Sequence, residues 1–203
     1  MNPRVRFAPS PTGSLHIGGA RTALFNYLFA QNQNGSLVLR VEDTDIERNT
    51  TAALKSQLAD LNWLGISWDE GVNLDGISET GKFGPYKQSQ RLDIYQKYLN
   101  QMLESGLAYY CFLTTAEIEQ AKQQCIKEGL PYRPQSKYRD LSLNEAKKLL
   151  TSNPHAVIRF KSPNAYKTYT IQDIVRGEVV FSSEQAGDFV IMRSNNMPMY
   201  NFC

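Results

Sequence analysis

The order of elements in the first 41 residues restricts what this chain can fold into. Residues 5–8 read as extended, and a proline- and glycine-bearing turn follows over 9–13. From 18 to 31 the apolar residues Ala20, Ala23, Leu24, Tyr27 and Leu28 recur at helical spacing, and Asn34-Gly35 supplies a stop. Residues 36–41, an apolar and partly β-branched run, read as a second strand. A strand, helix and strand this closely spaced predict two parallel strands joined by a right-handed crossover, hence an α/β sheet covered by helices. Ligands of such sheets bind beyond the carboxyl ends of the strands. Residues 9–16 and 42–45, which leave those ends, are thereby expected at one common site.

Residues 51–64 predict a second helix with Leu54, Leu58, Leu61 and Leu64 on one face, and the glycine-rich stretch 69–85 reads as a loop. Ser89 is a candidate N-cap for a third helix over 91–104, burying Leu92, Tyr95, Leu99 and Leu103 and ending at Gly106. Beyond Cys111 the character changes. Thr115 is expected to cap a charged helix reaching Lys127, and a loop rich in proline, tyrosine and basic residues spans 131–139. Ser142 starts a short helix to 150, and strands follow at 157–161, 169–171, 178–181 and 189–192. We place a boundary at 108–111, giving a mixed α+β second domain over 109–195 and a return segment over 196–203.

With 203 residues and 41% hydrophobic composition, one large core or two small ones can be buried. No run approaches the roughly 18 apolar residues of a membrane span and no signal region follows Arg4 and Arg6, so a cytoplasmic protein without membrane contact is expected. The 22 Lys+Arg and 20 Asp+Glu leave a net charge of +2, so any nucleic-acid surface has to be a local patch. Cys111, Cys125 and Cys203 cannot all pair within one chain, which favours reduced thiols.

The segment Phe7-Ala8-Pro9-Ser10-Pro11-Thr12-Gly13-Ser14-Leu15-His16-Ile17-Gly18-Gly19 leads from strand into helix. Unpaired N–H groups at a helix start favour phosphate, and an imidazole there can donate to phosphate oxygens as charge builds. Taken alone, His16 reads first as a cap or core histidine, and Gly18 and Gly19 as permitting close helix packing. Glu42, Asp43 and Asp45 could likewise cap the segment after their strand, and Ser89 to Arg91 could be a helix start only.

Residues 6–19 closely resemble the first signature of class I aminoacyl-tRNA synthetases, in the form carried by glutamyl-tRNA synthetases of the bacterial type, where Gly19 stands in place of a final histidine. The resemblance continues through Ala20-Arg21-Thr22-Ala23-Leu24, Arg40-Val41-Glu42-Asp43-Thr44-Asp45, Gly84-Pro85-Tyr86-Lys87-Gln88-Ser89-Gln90-Arg91, residues 155–160 and Pro198-Met199-Tyr200. It implies the first half of a Rossmann-like catalytic domain over 1–108, with an inserted connective domain that receives the tRNA acceptor end. It further implies a glutamate–tRNA ligase working through glutamyl-adenylate. Arg6, Ala8, Ser10 and Glu42 would line the glutamate pocket with Tyr200, while His16, Gly18 and Gly19 would serve ATP, with His16 the catalytic residue. Magnesium would travel with the ATP phosphates, without a protein ligand. Asp43 and Asp45 are left as structural, and Arg91 is a further candidate for the active site or the RNA end.

In the insertion, Lys127, Arg133, Lys137 and Arg139, interleaved with Tyr132 and Tyr138, are candidates for tRNA contact. Some relatives hold zinc there, but Cys111 is followed by Phe112-Leu113 and the cysteine set is too small for a closed site, so no zinc is expected. The family's second, lysine-bearing signature does not occur in the chain, which suggests an incomplete fragment with little activity by itself; a monomer is expected. A queuosine-glutamylating relative, an adenylyltransferase and a non-catalytic tRNA- or partner-binding module are the alternatives.

Overall fold

Strand β1 (Arg4–Phe7) lies parallel to β2 (Ser36–Leu39), Arg4 opposite Ser36 and Phe7 opposite Leu39, and helix α1 (Ile17–Asn32) connects them. This is the strand–helix–strand unit expected from the sequence. The computed structural model describes residues 2–45, 47–130, 132, 136–163, 168–182 and 187–203. It divides into two units, residues 1–94 and 95–203.

In the first unit the sheet order is β1-β2-β3-β4, with β3 (Glu70–Val72) parallel to β2 and β4 (Glu79–Thr80) antiparallel to β3. Both added strands fall in the stretch read from sequence as a loop. Gly71 explains the difference: its φ is 128°, and a Cβ there would lie 2.0 Å from the Leu39 carbonyl oxygen. Glycine is required because β3 runs against β2, although a glycine in sequence signals a turn. Helix α2 (Thr51–Trp63) is capped by Thr50, whose Oγ1 accepts from the Ala53 N–H at 3.1 Å. Its Leu54, Leu58 and Leu61 pack with Phe7, Leu37, Leu39, Val41 and Val72, whereas Leu64 ends outside the core. α1 buries only Ala23 and Ala30, so Leu24 and Leu28 point outward.

In the second unit Tyr95, Leu99 and Leu103 of α3 (Leu92–Glu104) pack on an antiparallel sheet of order β5-β6-β9, formed by β5 (Ala108–Cys111), β6 (Val157–Phe160) and β9 (Val190–Met192). Leu92 is exposed. A strand, β5, occupies the residues where the sequence suggested a boundary. Helix α4 (Thr115–Lys127) is capped one residue earlier than expected, by Thr114 in a reciprocal box with Glu117. Ser142 and Glu145 form the same box at α5 (Leu143–Ser152), whose Ala146 packs with Phe112 and Ala156. β7 (Thr168–Asp173) and β8 (Gly177–Ser182) form an exposed hairpin. The fold class is thus mixed α/β with a parallel sheet.

Across β2, Arg4 of β1 donates from Nε and Nη2 to the two Glu70 oxygens, each at 2.8 Å, and the Tyr86 hydroxyl donates to the same carboxylate at 2.6 Å. The Arg4 guanidinium first, and then Tyr86, hold the Glu70 carboxyl down to about 2 from an ordinary 4.5. A depressed carboxyl stabilises the fold above its unfolded pKa and loses that contribution as pH falls through the folded one. Glu70→Gln is therefore expected to melt below wild type at neutral pH, with the gap closing between pH 4.5 and about 2, as read from melting temperature against pH.

Candidate active site

The segments leaving β1 and β2 are joined backbone to backbone. The Arg40 N–H donates to the Phe7 carbonyl at 3.0 Å and the Glu42 N–H to the Pro9 carbonyl at 2.9 Å. A buried α2 side chain reaches the same turn: Gln57 Nε2 donates to the carbonyls of Ser10 at 3.1 Å and Gly13 at 2.7 Å. The Thr50 N–H adds a bond to the Pro11 carbonyl at 3.1 Å. The turn thereby has a defined shape without a side-chain core of its own. Gln57 escaped the sequence reading, although it sits on the leucine stripe of α2, where a polar residue signals a buried partner.

At the end of this turn His16 is the N-cap of α1, and its Nδ1 accepts from the Gly18 N–H at 3.1 Å. An accepting Nδ1 leaves the proton of the neutral ring on Nε2, and the residue is exposed. A Cβ on Gly18 would come 3.3 Å from that Nδ1, and one on Gly19 would come 3.2 Å from Leu15 Cδ1. Gly18 thus makes room for the imidazole over the first turn, and Gly19 lets the helix start close to the preceding turn. The first turn of α1 has no acidic residue, so its positive end is not neutralised from within.

Glu42 is 5% exposed, and its Oε1 accepts from Arg40 Nη2 and from Gln88 Nε2, both at 2.8 Å. These are side-chain donors, so Glu42 is not a turn cap. Asp43 is held by the Ser89 N–H at 2.7 Å and the Ser89 hydroxyl at 2.6 Å, and Asp45 by Arg48 Nε at 2.6 Å. Ser89, expected as a helix cap, is instead turned toward Asp43, and a 3-10 turn (Gln88–Arg91) precedes α3. Ala8 is half-buried and Ser10 exposed on the same turn. Exposed Arg6 lines a cavity of about 140 Å³ together with Arg4, Arg40, Phe83, Tyr86 and Arg91. Arg4 and Arg40 are paired with Glu70 and Glu42, and Arg91 donates to the Pro85 carbonyl at 2.6 Å. Arg6 has no hydrogen-bond or ion-pair partner among the described residues. A larger cavity of about 410 Å³ in the same unit is lined by Asn62, Ile66, Ser67, Trp68, Asn73, Leu74 and Asp75, none of them a site residue.

The chain matches the family model of the class I tRNA synthetases (E and Q), catalytic domain, over residues 3–203. The chain belongs to this family. A glutamate–tRNA ligase of Bdellovibrio bacteriovorus is 50% identical over 200 residues, covering 98% of this chain and 40% of that protein. One of Bacillus subtilis is 49% identical over 199 residues, again covering 98% and 40%. Among solved structures, the glutamate–tRNA synthetase of Elizabethkingia anophelis superposes with a TM-score of 0.86 at 37% identity, covering all of this chain and 41% of that one. A glutamate tRNA ligase of Elizabethkingia meningosepticum, solved in complex with its amino acid, gives 0.85 at 37% identity, covering 100% and 40%. The chain spans about 40% of the length of the curated relatives it matches.

The other expected residues of this synthetase-family chain lie in the second unit. Tyr200 follows β9 and is 72% exposed. Lys127 is exposed at the end of α4. Lys137 is exposed and donates to Glu117 at 2.8 Å, which pulls the Glu117 carboxyl down to about 2. Arg133 lies outside the described residues. Arg139 corrects the sequence reading: it is buried, donates from Nε to Asp188 at 2.9 Å and from Nη2 to the Ser162 carbonyl, and has no open face for a phosphate. Asp188 is fully buried and also accepts from the Tyr109 hydroxyl at 2.8 Å and the Ser162 N–H at 2.9 Å. Burial, and then that bond to Asp188, push the Tyr109 phenol above its ordinary range. Cys111, Cys125 and Cys203 form no disulfide among the described residues, and Cys111 is buried in β5. Removing one partner of a buried ion pair leaves an uncompensated charge, so Asp188→Ala is expected to lower the unfolding free energy by about 3–5 kcal/mol in a denaturant titration.

Proposed function

We propose that the protein containing this chain attaches glutamate to tRNA(Glu) by way of glutamyl-adenylate. The observation that supports this most is the junction at Pro9 and Glu42, which joins the turn leading to an exposed imidazole at a helix N-terminus with the segment of a buried carboxylate. The names of the relatives supply the amino acid. An α-carboxylate oxygen of glutamate attacks the α-phosphorus of ATP, a new O–P bond forms, and the bond to the β-phosphate oxygen breaks to release pyrophosphate. A ribose hydroxyl at the tRNA 3′ end then attacks the glutamyl carbonyl carbon, and AMP departs.

In this scheme Glu42 neutralises the α-ammonium, with the Ala8 carbonyl and Ser10 hydroxyl as further acceptors. Arg6 faces a substrate carboxylate. An amide in place of that carboxylate would leave the cation unpaired. The helix start at His16, Gly18 and Gly19 fits a triphosphate because His16, whose Nδ1 takes the Gly18 N–H, keeps Nε2–H outward, and positions 18 and 19 carry no side chain. Glu42, Asp43 and Asp45 are already engaged, so they fit a metal poorly, and magnesium would arrive on the ATP phosphates. Residues 109–195 would receive the acceptor end of the tRNA, with Lys127, Lys137 and Arg133 as candidate contacts. The protein would act as a cytoplasmic monomer. Among the described residues no helix is long and apolar enough to cross a membrane.

The test is exchange of pyrophosphate into ATP by the full-length protein, with glutamate or glutamine and with or without tRNA. Glutamate-dependent exchange is expected. His16→Ala should reduce its kcat by about 100- to 1000-fold, with the KM for glutamate changed little, because the imidazole acts on charge that develops in the transition state. Exchange with neither amino acid would overturn the proposal, and glutamine-dependent exchange would change the substrate.

A further inference from the structure

We infer that Gln88 is a positioning residue for Glu42, selecting which carboxylate oxygen faces the amino-acid substrate. This rests on the glutamate-binding reading above. Gln88 is fully buried, and its Nε2 donates at 2.8 Å to the same Glu42 Oε1 that takes the Arg40 guanidinium at 2.8 Å. Two donors on one oxygen set the plane of the carboxyl group. Among the described residues Oε2 accepts no hydrogen bond, which leaves its lone pairs for an ammonium.

The backbone holds Gln88 in that position. The Val41 N–H donates to the Tyr86 carbonyl at 2.9 Å, the Gln88 N–H to the Val41 carbonyl at 3.0 Å, and Ser89 grips Asp43. Residues 86–89 are thus strapped along 41–43, pairing Gln88 with Glu42 and Ser89 with Asp43. The residue type is informative in two ways. A lysine or arginine here would add a second cation to a site that must accept an ammonium, whereas an amide donates without charge. The Gln88 Oε1 is buried without a partner, an unfavourable arrangement that an apolar side chain of similar size would avoid if packing were its only task.

Steady-state pyrophosphate exchange by the full-length protein tests the role. Gln88→Leu is expected to raise the KM for glutamate about 10-fold or more while the KM for ATP moves less than about 2-fold. Gln88→Glu keeps the volume and guards against a folding defect. It exchanges the amide donor to Glu42 for a carboxyl group, so its glutamate KM should also rise while the KM for ATP again moves less than about 2-fold. A parallel rise in both KM values, or variants indistinguishable from an active wild type, would overturn the positioning role alone. A wild type without glutamate-dependent exchange would overturn the activity reading with it.

Discussion

The Glu42 N–H donates to Pro9 across the ends of two parallel strands, and the arrangement of the first unit's site follows from that bond. Parallel pairing brings the carboxyl ends of β1 and β2 to one edge, and this bond continues the ladder one step into the segments beyond. One segment then runs into α1 through His16, and the other places Glu42 in a buried position. Neither segment has an apolar core of its own. Their shape comes from backbone groups satisfied by Gln57 and Thr50 on one side and by residues 86–89 on the other.

A consequence is that the site's polar side chains act in two tiers. His16, Arg6 and Ser10 are exposed, whereas Gln57 and Gln88 are buried and orient a turn or a carboxylate. Groups placed by buried hydrogen bonds lose little conformational freedom when a ligand arrives, which is the physical content of preorganisation. Gly18 and Gly19 belong to the same design, since each removes a Cβ that would press on His16 or Leu15.

What the sequence revealed and what it concealed follow from the range of the interactions involved. α1 and α2 were readable because their apolar spacing and their Asn-Gly or Thr boundaries are local. β3 was not, because Gly71 serves a contact with Leu39, 32 positions earlier, and looks like a turn residue on its own. Ser89 resembled a cap until Asp43, 46 residues away, supplied its partner. Arg139 resembled a phosphate contact because charge in a loop suggests solvent, and only Asp188 shows that it is interior. Glu42 stood out because it follows a strand that pairs beside His16. Gln88 had no such marker, since an amide at an apparent helix start is unremarkable.

The partners of the arginines bear on the charge that the first unit presents to a ligand. Arg4, Arg6, Arg40 and Arg91 surround one small cavity, so a count of charges would suggest a strongly cationic site. Glu70 and Glu42 neutralise two of the four, and Arg91 is directed at backbone carbonyls. The cations left without a carboxylate partner are therefore Arg6 and Arg91, and of the two only Arg6 has no hydrogen-bond partner among the described residues. A single planar guanidinium favours a two-pronged carboxylate over a neutral amide through geometry as much as through field. Selectivity built this way would depend on keeping the neighbouring cations occupied, which gives the Arg4–Glu70 pair, spanning β2, a stake in the character of the site.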